Sequence, residues 1–93
     1  MLAQCAHPSS SPIATPPLAI AARGAALEVC FCTLIEGRPL PDCITESTLA
    51  APHAGTIAIN LETRESRPGV GVRLGGYSAF AAHRPAMGCA LTR

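Results

Sequence analysis

The sequence predicts a small α+β domain: a mostly antiparallel sheet, built from one central strand plus a three-stranded meander, with two short helices against it. Three observations carry this. Residues 27–35 (LEVCFCTLI) are dense in β-formers and apolar on both faces, as a strand covered on both sides requires. Residues 56–62 and 70–74 alternate with the two-residue period of a strand. Gly75-Gly76 follows the second alternation and fits a two-residue hairpin turn.

In chain order, residues 1–14 (MLAQCAHPSSSPIA) are Ser- and Pro-rich without periodicity, and a flexible tail is expected there. The domain is expected over 15–84. Thr15–Gly24 carries helix punctuation: Thr15 as cap, Pro16 at the first helical position, Arg23 near the negative end of the dipole and Gly24 as left-handed cap. The central strand, Leu27–Ile35, ends at Gly37-Arg38-Pro39. A second helix is expected from Asp42 through Ala51, stopped by Pro52. Thr56–Glu62 forms the first meander strand, with Ile57, Ile59 and Leu61 on one face. Residues 63–69 (TRESRPG) read as a turn or loop. Pairing around Gly75-Gly76 sets Val72 opposite Ala79 and Leu74 opposite Tyr77. For Ser78–Arg84, strand and short helix both remain open, because propensity does not separate them. Residues 85–93 read as a frayed C-terminus.

Composition limits the core. Of the 93 residues, 17 are Ala, while Leu, Ile, Val and Phe together number 20, and there is no Trp. A chain of this size buries only about 60–65% of the surface its unfolded form exposes. There is no lysine among seven basic residues, which are all arginine. Ala, Gly, Pro and Arg fill 41 positions, the mark of a GC-rich gene. The missing lysine excludes Schiff-base and P-loop chemistry.

Five cysteines (Cys5, Cys30, Cys32, Cys43, Cys89) are an odd number, and no secretory signal is read ahead of them. Reduced thiols and a cytoplasmic location are therefore expected. Leu18–Ile35 contains Arg23 and Glu28, so no membrane span is expected. Charge is uneven: residues 1–63 hold two Arg against five acids, and residues 64–93 hold five Arg against Glu65. Mutual neutralisation of the halves is the favoured expectation, with an arginine patch for phosphate or an acidic partner as the other reading.

Candidate motifs are few. Cys30-x-Cys32, with Cys43 and His53 downstream, is the best metal candidate, because i and i+2 on a strand face the same side. It lacks the C-x-x-C turn of a zinc knuckle, so no metal or other cofactor is assigned and buried thiols are expected. Gly76-Tyr77-Ser78-Ala79 begins like a nucleophile elbow but has Phe80 where a small residue belongs. Asp42, His53 and His83 are its only conceivable partners. Gly69-x-Gly71 is better explained by strand and turn than by a phosphate cradle. Arg64, Arg67, Arg73 and Arg84 with Tyr77 and Phe80 have the chemistry of a single-strand nucleic-acid surface. A hairpin, however, sets Arg73, Ser78 and Phe80 on one face and Tyr77 on the other, which argues against nucleic acid. His7, His53 and His83 lack carboxylate partners at helical spacing.

The functional expectation is a small non-catalytic interaction module or subunit, completed by a protein partner or by self-association. One alternative is a reading frame or fragment without a selected function. The other is a cysteine-based metal protein or small enzyme. No catalytic or cofactor-binding residue is assigned.

Overall fold

In the computed structural model, residues 17–92 are described. The expected tail, and the expected helix cap at Thr15 and Pro16, lie outside the described residues. The fold is α+β: a four-stranded antiparallel meander with two helices.

The main correction falls on residues 27–35. They are not a strand but the second half of helix α1 (Leu18–Cys30), which continues as a single wide, π-helical turn over Phe31–Ile35. A continuous apolar run fits a buried helix as well as a buried strand. Here Ala25, Ala26, Leu27 and Glu28 favour helix and carry it through Gly24. Gly24 is thus an interior residue, and Leu49 packs into the space where a β-carbon would stand. The helix stops at Gly37, whose φ of +71° is the left-handed conformation expected just past a helix end. The Arg38 N–H then reaches back to the Cys32 carbonyl.

Helix α2 spans Leu40–Glu46, with Pro39 as its cap residue and Asp42 in its first turn. It begins and ends earlier than the expected 42–51. Pro52 sits inside a separate 3-10 turn, Ala51–His53. Arg38 clasps the end of α2 through a two-pronged ion pair with Glu46, one arm of which is 2.6 Å.

The strands are β1 (Ala58–Arg64), β2 (Arg67–Leu74), β3 (Tyr77–Arg84) and β4 (Gly88–Thr92), in sheet order β1-β2-β3-β4. Val72 pairs with Ala79 and Leu74 with Tyr77, the register expected from the turn. Residues 78–84 are therefore strand. Residues 88–92, expected to fray, form β4 and pair along β3 from Gly88 opposite Arg84 to Thr92 opposite Phe80. The β1–β2 connection is tighter than a loop: Glu65 and Ser66 both take positive φ, as a two-residue primed turn demands. At the β2–β3 turn, Gly75 has positive φ and Gly76 does not.

One face of the sheet carries Ile59, Val70, Val72, Leu74 and Ala81, and α1 lays Ala21, Ala22, Ala25, Ala26, Val29 and Cys30 on it, all fully buried. Alanine at the contact lets helix and sheet approach closely but supplies little apolar area per residue. The largest wholly buried side chains are only Val and Cys.

Candidate functional site

The cysteines depart most from expectation. Cys30 is bonded to Cys89 on β4, and Cys32 to Cys43 on α2. On a strand, Cys30 and Cys32 would have shared a face. On a helix, residues two apart point about 200° apart. One sulfur therefore turns to the sheet and the other to α2. The expectation of buried free thiols is corrected, and the metal candidate at Cys30, Cys32 and Cys43, to which no metal was assigned, loses its ligands, because bonded sulfurs offer no thiolate. Among the described residues no three His, Cys, Asp or Glu side chains converge as a metal site would need. Cys5 and His7 lie outside the described residues. A helical reading of 27–35 is the signal that would have separated the two cysteines.

The serine-hydrolase residues are not brought together. Ser78 lies in a strand rather than at a strand-to-helix elbow. His83, five positions along β3, points to the opposite face. Asp42 is on α2, and His53 is in the 3-10 turn with its Nε2 buried and unpartnered.

A polar anchor that the sequence did not reveal is Glu28. Its carboxylate accepts hydrogen bonds from Ser47 Oγ (2.6 Å), Thr48 Oγ1 (2.7 Å) and the Leu49 N–H (3.2 Å). Burial alone would raise its pKa. The hydrogen bonds from Ser47, Thr48 and the backbone outweigh that, and the carboxyl is held below its ordinary value. This network fixes the loop after α2 against α1.

Two surfaces stand out among the described residues. The first is the outward side of α1 and its π-helical turn, where Ile20, Phe31 and Ile35 are exposed, Ile20 by 54%, while the half-exposed Leu18 sits at the helix start beside Gly75. The segment Leu18–Ile35 is long and apolar enough to cross a membrane, yet its alanine face is packed on the sheet and Glu28 is tied to the loop. The second is the sheet face turned away from α1. There the register aligns Arg64, Arg67 and Arg84 in one row, with Phe80 alongside. Phe80 lies over Gly69 and is only 3% exposed. The Arg64 guanidinium sits 4.5 Å above its ring, held there by Glu62 at 2.8 Å. Gly69 therefore makes room for an aromatic ring, and Gly71 for the Glu62 carboxylate. Arg73 lies at the other end of its strand, and Tyr77 pairs with Leu74, as the alternation predicts.

The expected neutralisation between the two halves is met by one of the two ion pairs, and there only between near neighbours in sequence. Among the described residues they are Arg38–Glu46, within the first half, and Arg64–Glu62, across the boundary. No family model matches the chain, and no curated protein or solved structure matches it.

Proposed function

We propose that this chain is a non-catalytic interaction module, completed by a protein partner or by self-association through the outward face of α1. The observation that carries the reading is that α1 and its π-helical turn have their alanine side covered by the sheet yet leave Ile20, Phe31 and Ile35 in solvent on the other side, where Arg23 and Glu28 are the only charged residues before Glu36. Large apolar side chains grouped on the exposed side of a packed helix mark a surface that contacts another molecule. Two further features support it. The core has no wholly buried side chain larger than valine, which makes extra burial valuable. Among the described residues the sheet is open, with β1 and β4 as its edges.

The contiguous core and agreeing strand register count against an unselected reading frame. The paired sulfurs count against the metal-protein alternative. They also change the reading of location. The cytoplasmic expectation rested on reduced thiols, and two disulfides in so small a core favour an oxidising compartment.

Sedimentation velocity over a wide concentration range, with thermal unfolding at each concentration, tests the proposal. A mass that rises with concentration, together with a rising Tm, supports self-association. The Ile20→Glu and Phe31→Glu variants should then stay monomeric while remaining folded. A wild-type chain that is monomeric and cooperatively stable throughout, and no more soluble as Ile20→Glu, refutes the reading.

A further inference from the structure

We infer that the arginine row on the free sheet face is a binding site for a phosphate monoester group. It is separate from the α1 surface and does not depend on the reading given for it. Arg64, Glu65, Arg67, Phe80, Ala82, Arg84 and Thr92 line a groove of about 300 Å³. That volume is at the lower end of small-ligand sites and suits a phosphate on a short carbon skeleton.

The chemistry of the lining selects the ligand. Three guanidinium groups line the groove with one carboxylate, Glu65, while a second, Glu62, pairs with Arg64 beside it. Arg64 is already engaged by Glu62 and by the face of Phe80, so it is held in place. Arg84 is not satisfied: its Nε is buried with no hydrogen-bond partner. An unpaired buried N–H of a charged group is costly, and a rotation of the Arg84 side chain that brings it to an acceptor oxygen in the groove removes that cost. Arg67 forms no ion pair among the described residues and stands opposite Arg64 across the turn. With Glu62 counted against Arg64 the groove keeps a net charge of +1, carried by Arg67 and Arg84 over Glu65, which attracts a phosphate monoester with its close to two negative charges at neutral pH. Guanidinium groups bind its oxygens in pairs.

A nucleic-acid strand is disfavoured by the same geometry. Its bases need exposed aromatic faces in succession. Phe80 is covered by Arg64, and Tyr77 is not in the groove.

The test is titration of the full oxidised chain with inorganic phosphate, then with glycerol phosphate, at constant ionic strength, followed by amide and arginine Nε–H NMR shifts. Saturable shifts at residues 64–67, 82–84 and 92 are expected. R84Q and R67Q should each weaken binding about ten-fold, E65Q should tighten it, and R73Q should leave it unchanged. Unaltered shifts away from the groove show that each variant is folded. Absence of saturation in the wild type overturns the site. So do R67Q and R84Q variants that bind as the wild type does. A single-stranded oligonucleotide without terminal phosphate that binds more tightly than glycerol phosphate, with steep salt dependence, overturns the monoester assignment.

Discussion

Removing the Cys30–Cys89 bond as C30A/C89A should cost more stability than removing the Cys32–Cys43 bond as C32A/C43A. The first joins residues 59 apart in sequence, the second residues 11 apart. Closing such loops in the unfolded chain removes entropy worth about 4 kcal/mol for the longer and about 3 kcal/mol for the shorter. The difference between the variants, about 1.5 kcal/mol from the ratio of the two loop lengths, is sounder than either value alone. Each pair contains one cysteine that is at least 98% buried, Cys30 in one and Cys43 in the other, so the loss of packed sulfur is similar in both. A domain of this size has roughly 4–11 kcal/mol in total. The longer crosslink is thus a large share of it. Urea unfolding followed by circular dichroism measures the two variants against wild type. The slope with urea should rise in both, because the unfolded chain expands, and more in C30A/C89A. If C32A/C43A is the less stable variant, or if full reduction of the wild type leaves its midpoint unchanged, the loop-entropy reasoning is wrong.

Three further outcomes are expected. Alkylation under denaturing conditions without reductant should label one cysteine, Cys5, and all five after reduction, as intact mass would show. S66G should stabilise the chain by about 0.5–1 kcal/mol in the same urea assay, since Ser66 sits at φ 67° where glycine is unstrained. E28Q should flatten the acid side of the stability profile. The Glu28 carboxyl is held below its ordinary pKa in the folded state, so its contribution is full above the ordinary carboxylate range. It is lost as pH falls from about 5 through the depressed folded value. A profile for E28Q as steep as that of wild type would show that the Ser47 and Thr48 contacts contribute nothing.

The meander was legible because its signals are local. Ile57, Ile59 and Leu61 alternate, and a two-residue glycine turn fixes the register of the strands beside it. The free-face arginines were legible as a cluster of cations but not as a row, because Arg64 and Arg67 fall in the stretch that reads as a loop and Arg84 lies where strand and helix stayed open; only once β1, β2 and β3 extend to them does equal parity set them on one side. What the sequence did not disclose was how that row sits over a floor made by Phe80 on Gly69, or that Arg84 stays unpartnered there. Pairing partners far along the chain have no local trace.

The sequence by itself determined the α+β class, three of the four strands, the turn at Gly75 and the small, alanine-rich core. Tertiary structure decided the state of residues 27–35. Their apolar residues satisfy strand and helix alike, and only the sheet offers the surface on which Ala21, Ala22, Ala25, Ala26 and Val29 can be buried together as one helical face. That choice then decided the cysteines. Winding the chain through Cys30 and Cys32 turned one sulfur to β4 and the other to α2, and so converted an apparent ligand pair into two crosslinks. β4 became a strand by the same route, because Cys89 ties it beside α1 while β3 offers it an edge.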